Sequence, residues 1–145
     1  MTTATRTRKP VAPEAAFRRV QAHAEKIKND EPHTVETCSP GDAWAQGDIL
    51  LLCLIAVPPG ATVDPKPVAQ LAPGTTQGSR HCIRDLSTVK LWRIASPTPL
   101  DGPVIEAPSG VTVEHPEHGD VTLPPGVYAV VYQRALAEEL RRTVD

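Results

Sequence analysis

Residues 111–134 constrain the fold of this chain more than any other stretch of its sequence. The last eight of them, 127–134, alternate in character with a period of two and are rich in β-branched and aromatic side chains. They follow a turn made of Pro124, Pro125 and Gly126. An alternating run behind such a turn is typical of a β-strand. We therefore expect a β fold organised around this strand.

Proline and glycine divide the rest of the chain into short apolar runs. The 145 residues include 16 prolines and 9 glycines, and aromatic residues make up only 3%. Frequent turn residues between apolar runs favour many short strands over a helical bundle. A chain of this length fits one domain with its own core. We predict a mainly β fold, a small antiparallel β-sandwich or barrel, with an N-terminal amphipathic helix and a short C-terminal helix.

The sequence divides into four predicted parts. They are a disordered tail over residues 1–13, an amphipathic helix over 14–29, a linker over 30–46 and a β domain over 47–145. The linker prediction rests on two prolines and several small polar residues, which are poor formers of regular structure.

Two helices are predicted outside the strands. The first carries a narrow apolar stripe at spacings of three and four, made of Phe17, Val20, Ala24 and Ile27. A stripe that narrow can lie on the protein's own sheet or pair with the same helix of a second copy. The second helix, over residues 135–142, places Leu136 and Leu140 on one face.

Several strands are predicted inside the β domain. The run 49–57 is apolar without alternation, which indicates a strand covered on both faces. Shorter strands are expected over 68–71, 80–84, 89–94, 104–106 and 111–114. The last two are joined through Pro108, Ser109 and Gly110, which predicts a hairpin.

Charge and hydropathy exclude some classes of partner. The formal net charge of −2 leaves no basic surface of the kind that binds nucleic acid. No apolar run approaches the roughly 20 residues of a membrane-spanning helix, and the N-terminus lacks the apolar region of a signal peptide. We expect a cytoplasmic protein without nucleic-acid or membrane partners.

Three cysteines, Cys38, Cys53 and Cys82, stand at wide spacings without a Cys-x-x-Cys pair. This pattern predicts reduced thiols, not a disulfide framework or a zinc ribbon. Cys53 lies in an apolar run and is expected to pack as a small core residue. Cys82 is the one cysteine with an expected chemical role, and a nucleophile–base pair of Cys82 and His115 would require the fold to bring them together.

The candidate chemical site consists of His81, His115 and His118. Two of these imidazoles stand three residues apart at a predicted corner, where they can converge on one ion. Three histidines satisfy the ligand type of zinc or another divalent metal, and Glu114 or Glu117 could complete the site. The competing interpretation is a corner that is polar because it is solvated, with no bound metal.

Several segments form a recognisable set. They are Gly47-Asp48-Ile49-Leu50, Gly78-Ser79-Arg80-His81, His115-Pro116-Glu117-His118, Leu123-Pro124-Pro125-Gly126-Val127-Tyr128 and Gln133-Arg134. As a set they resemble a group of small, largely uncharacterised bacterial β-proteins with the order Gly-Asp-Ile-Leu, Gly-His-x-His, His-x-x-His, Leu-Pro-Pro-Gly-x-Tyr and Gln-Arg. Where that group has the first histidine of Gly-His-x-His, this chain has Ser79. The resemblance therefore implies a scaffold whose metal or catalytic demand has been relaxed.

In size and build the chain also resembles the dimeric peptide-binding accessory proteins of ribosomally made, modified peptide pathways, such as crocagin biosynthesis. That resemblance implies a homodimer with a precursor peptide as its partner in natural-product biosynthesis.

We therefore expect a non-enzymatic accessory protein that binds a peptide or protein by strand addition to an exposed sheet edge, with no cofactor and no catalytic residue. The sequence does not specify the peptide-binding residues. The alternative is a metal-binding protein or metalloenzyme that uses His81, His115 and His118 to hold zinc or another divalent metal.

Overall fold

The computed structural model describes residues 31–72 and 80–133, and the fold there is mainly β. The predicted tail and both predicted helices lie outside these residues. Within them, no helix is long and apolar enough to cross a membrane. The helical structure described is one short 3-10 turn, Leu86–Thr88.

Ten strands are present in the described ranges. They are β1 His33–Thr34, β2 Ala43–Gln46, β3 Ile49–Leu54, β4 Thr62–Val63, β5 Cys82–Ile83, β6 Lys90–Arg93, β7 Asp101–Ala107, β8 Val111–Glu114, β9 Val121–Leu123 and β10 Gly126–Tyr132.

The strands form two sheets. One has four strands in the order β1-β9-β8-β5, and the other has six in the order β2-β3-β10-β7-β6-β4. The pairing of β1 with β9 is parallel, and the pairings between the other neighbours are antiparallel. The larger of two hydrophobic clusters in the described residues contains residues of both sheets, such as Ile49 and Tyr128 from one and Val113 and Val121 from the other. Two sheets around one shared core fit a β-sandwich.

The strand that the sequence placed at the centre of the fold is central in the structure. β10 lies between β3 and β7 in the six-stranded sheet. Its side chains alternate as predicted, with Tyr128, Val130 and Tyr132 buried. The period-two pattern therefore predicted the strand and its alternation, and the structure assigns the inward face to Tyr128, Val130 and Tyr132.

The long apolar run is shorter as a strand than expected. β3 ends at Leu54, which pairs with Val127, the second residue of β10. The next side chain, Ile55, is 87% exposed. The expectation of burial on both faces holds at Leu50 and Leu51, which face opposite sides of the sheet and have no exposed surface.

The predicted linker over 30–46 contains two strands, so the β fold begins earlier than expected. β2 pairs with β3 through a two-residue turn of Gly47 and Asp48. Gly47 has φ +54, the left-handed backbone conformation that such a turn requires. The sequence did not reveal β2 because two of its four residues are alanines, which have low strand propensity.

The prediction that residues 104–106 and 111–114 form a hairpin is wrong. β7 pairs with β6 and β10, whereas β8 pairs with β5 and β9, so the turn between them crosses from one sheet to the other. Gly110 in this turn has φ +84, and a Cβ there would lie 2.6 Å from the carbonyl oxygen of Leu123. A glycine-containing turn allows this crossover as readily as it allows a hairpin.

Candidate functional site

The structure brings the three candidate histidines together. Ring centroids of His81 and His115 are 4.5 Å apart, those of His115 and His118 are 4.4 Å apart, and those of His81 and His118 are 6.5 Å apart. The pairing of Cys82 on β5 with Glu114 on β8 places His81 beside His115. Strand register therefore brings His81 to a pair of histidines that lie more than 30 residues later in the chain.

Gln46, at the end of β2, holds this cluster and was not identified from the sequence. Its Nε2 donates to the carbonyl oxygens of Val113, at 2.9 Å, and Gly119, at 2.7 Å. Both amide hydrogens are then used, and Oε1 faces Nδ1 of His81 at 2.9 Å. An amide oxygen only accepts, so Nδ1 of His81 carries a hydrogen and donates it.

His115 has the opposite arrangement of hydrogens. Its Nδ1 accepts from the backbone N–H groups of Glu117, at 3.0 Å, and His118, at 3.1 Å. An atom that accepts two N–H groups has no hydrogen of its own, so a neutral His115 carries its hydrogen on Nε2. These two bonds close the corner between β8 and β9.

His118 packs on the turn between β2 and β3. A Cβ at Gly47 would lie 2.4 Å from Cδ2 of His118, so the ring occupies the space that a side chain would need. The same turn is held by Gln133, whose Nε2 donates to Gly47 O at 2.7 Å and whose backbone N–H donates to Asp48 O at 3.0 Å. Gly47 and Asp48, the His-x-x-His segment and Gln133 therefore meet at one end of the fold.

The hydrogen bonds of these imidazoles determine which of their nitrogens can coordinate a metal ion. A metal-bound histidine coordinates through one nitrogen and usually donates from the other. His81 fits that pattern through its bond to Gln46, but His115 does not, because two amides occupy its Nδ1. Glu114 is engaged by Arg84 at 3.1 Å. Among residues 31–72 and 80–133, no group of three or more His, Cys, Asp or Glu side chains is placed to hold a metal ion.

A groove opens between the segment 68–71 and the six-stranded sheet, beside β6 and the start of β7. Its volume is about 590 Å³. Its floor contains Leu71, Leu91 and Tyr132, all buried, and its rim contains Val68, which is 61% exposed. The hydroxyl of Tyr132 donates to Leu71 O at 2.8 Å, which ties the segment containing Leu71 to β10. Burial raises the pKa of Tyr132 to about 12, so the hydroxyl remains a donor at neutral pH.

The charged side chains at the groove have partners already. Arg93 forms an ion pair with Asp64 at 3.1 Å. The carboxylate of Asp101 accepts from the backbone N–H and the hydroxyl of Thr98, each at 2.8 Å. A ligand in this groove therefore meets apolar surface first, with the charges engaged at the margin.

Comparisons with known proteins match the chain to one family, which has no assigned activity. Searches of curated proteins and of solved structures each found no significant match to the chain. A family model described as Domain of unknown function (DUF8820) matches residues 45–133. The match covers more than half of the chain and extends from β2 through β10, so the chain belongs to the DUF8820 family.

Proposed function

We propose that this protein is a non-enzymatic binding protein that holds an extended, mainly apolar peptide segment in the groove beside β6. The observation that carries the proposal is the groove itself, with a buried apolar floor and an exposed valine on its rim. Its volume of about 590 Å³ lies within the roughly 300–1,000 Å³ of typical ligand clefts. The lining offers no nucleophile with an adjacent base, which supports binding over catalysis.

A sheet edge next to the groove supports an extended ligand. β4 is the outer strand of the six-stranded sheet, and Asp64, which follows it, lines the groove. The N–H of Asp64 donates to Leu91 O at 2.8 Å. Because hydrogen-bonded and non-hydrogen-bonded pairs alternate along an antiparallel ladder, the N–H and C=O groups of the preceding residue, Val63, point away from β6. An added strand would bond there and place alternate side chains in the groove. Pro65 and Pro67 limit the length of this edge.

The partner we propose is a ribosomally made precursor peptide, with the protein acting as a homodimeric, cytoplasmic accessory protein of natural-product biosynthesis. The likeness in size and build to peptide-binding accessory proteins of such pathways supports this choice. The apolar floor favours a segment with Leu, Ile, Val or Phe at alternate positions, since those side chains bury the most apolar surface in a strand.

Calorimetric titration with synthetic segments of precursor peptides encoded near the gene tests this proposal. We expect micromolar binding by the wild type, weakened at least about tenfold by Val68→Asp, because an unpaired carboxylate is costly to bury against an apolar ligand. Ile55→Asp is the matched control, since Ile55 is exposed and lies outside the groove. Equal loss in both variants, or no binding by the wild type, would contradict the proposal.

The convergence of His81, His115 and His118 favours a second candidate function, in which the cluster holds zinc or another divalent metal. Coordination through His115 would require its ring to leave the two amides that it now accepts from. Elemental analysis of the purified protein distinguishes the candidates. A near-stoichiometric metal that is lost in His118→Ala would rank metal binding above peptide binding.

A further inference from the structure

Two of the three cysteines, Cys38 and Cys53, form a pair that their spacing in the sequence does not predict. The Sγ atoms of Cys38 and Cys53 are 3.5 Å apart, and both residues are free thiols. Cys38 lies in the segment between β1 and β2 and is partly exposed, whereas Cys53 is buried on β3. The expectation that Cys53 is a core residue is therefore confirmed, but Cys82 is not the cysteine with a neighbouring thiol.

A directed series of hydrogen bonds runs through this pair. The hydroxyl of Tyr128 donates to Pro124 O, so its oxygen accepts from Cys38, whose Sγ lies 3.1 Å away. With its hydrogen toward Tyr128, the Cys38 sulfur presents its lone pairs to Cys53. Burial raises the pKa of the Cys53 thiol to about 12, with a smaller contribution from the hydrogen bond to Cys38. Cys38 is therefore the thiol that a solvent-borne oxidant reaches first.

We propose that Cys38 and Cys53 are a redox modification site, at which a peroxide oxidises the two thiols to an intramolecular disulfide. Cys38 loses its proton and, as the thiolate, attacks one oxygen of hydrogen peroxide; the O–O bond breaks, Cys38 becomes a sulfenic acid, and the departing hydroxide takes up the Cys38 proton and leaves as the first water. The Cys53 sulfur then attacks Sγ of Cys38, the S–O bond breaks, and the second water leaves with the Cys53 proton. The thiols lose two electrons, which reduce one peroxide to two waters.

The surroundings of the pair allow this step. The sulfurs must approach from 3.5 Å to about 2.05 Å. Cys38 lies outside the strands, between β1 and β2, while Cys53 is fixed by backbone bonds to Gly41 and Asp42. The disulfide would link residues 15 positions apart and tie the connection between the two sheets to β3. A bond across a loop of that size restricts the unfolded chain and stabilises the folded one.

The test uses the full-length protein treated with a small excess of hydrogen peroxide, followed by alkylation of free thiols, peptide mapping and thermal unfolding. We expect the intact mass to fall by two hydrogen atoms and a Cys38–Cys53 peptide to appear. The Tm should rise by about 5 °C or more, and a dithiol reductant should reverse each change. In Cys53→Ala the reaction should stop at a Cys38 sulfenic acid, which dimedone traps.

Cys82→Ser is the matched control, because Cys82 lies on β5 in the other sheet, and it should leave the oxidation unchanged. The proposal is overturned if Cys38 and Cys53 both remain open to alkylation in unfolded, peroxide-treated wild type. It is equally overturned if the disulfide that forms is intermolecular or contains Cys82. The wild-type measurement decides the matter even where Cys53→Ala fails to fold.

Discussion

At the scale of single residues, Gly47 shows how the β2–β3 turn and the histidine cluster depend on each other. Gly47→Ala combines a left-handed backbone strain with a collision against the His118 ring. Gly41→Ala is the matched control, since Gly41 also has positive φ but no atom lies within 4 Å of its Cβ position. We expect Gly41→Ala to lower the free energy of unfolding by about 1–2 kcal/mol and Gly47→Ala by about 2–4 kcal/mol.

Urea unfolding measures this difference, and the imidazole resonances of His118 report whether its ring moves. Equal destabilisation in the two variants, with unchanged His118 resonances, would contradict the idea that the ring needs the space above Gly47.

The candidate site was predictable from the sequence only in part, for reasons that lie in particular residues. His81, His115 and His118 could be proposed because imidazoles are few and chemically distinctive. Gln46 could not, because an amide side chain carries no spacing signal and β2 itself was not predicted. The hydrogen positions on His81 and His115 follow from Gln46 and from two backbone amides, so they depend on contacts that only the fold creates.

At the scale of the elements, Gln46 connects strands of different sheets. It belongs to β2 of the six-stranded sheet, and its amide bonds to Val113 on β8 and to His81 before β5, both of the four-stranded sheet. We expect Gln46→Leu to destabilise the protein by about 3 kcal/mol or more, because it removes the partners of two carbonyl oxygens and one imidazole nitrogen in a buried place.

Gln70→Leu is the comparison, because it changes an exposed glutamine and should cost less than about 1 kcal/mol. Chemical denaturation of both variants gives the two values. If both substitutions lower the free energy of unfolding by a similar, small amount, water replaces the hydrogen bonds of Gln46, and these bonds contribute little to stability.

Local sequence signals identified some elements and misassigned others. β10 was predictable because its alternation and β-branched content agree with its position between two strands. β2 was not, since alanine carries little strand preference. The turn through Gly110 has the sequence of a hairpin turn but connects strands of different sheets, because a turn motif determines the local backbone and not the sheet that the next strand joins. The sheet that the next strand joins depends on which strand faces are buried against each other, and this is a property of the whole core.

At the scale of the whole molecule, phenolic groups inside the sandwich core set its tolerance of alkaline pH. Burial raises the pKa of Tyr132 to about 12 from an ordinary value near 10, and burial also raises the pKa of Tyr128. A group whose pKa is higher in the folded state contributes stability that is complete below the unfolded-state pKa. That contribution declines as the pH rises from about 10 and is lost once the pH passes the folded-state pKa of about 12.

We therefore expect the free energy of unfolding to fall by about 2–3 kcal/mol from Tyr132 alone between pH 10 and pH 12, since each pKa unit corresponds to about 1.4 kcal/mol. Tyr132→Phe should be less stable at neutral pH by about 1 kcal/mol, having lost the bond to Leu71 O, but its stability should decline less steeply above pH 10. Urea unfolding at a series of pH values measures both slopes. Parallel declines would mean that the Tyr132 hydroxyl ionises with little cost to the fold, and the loss of alkaline stability would then be assigned to Tyr128 and Cys53, whose pKa values are also raised by burial.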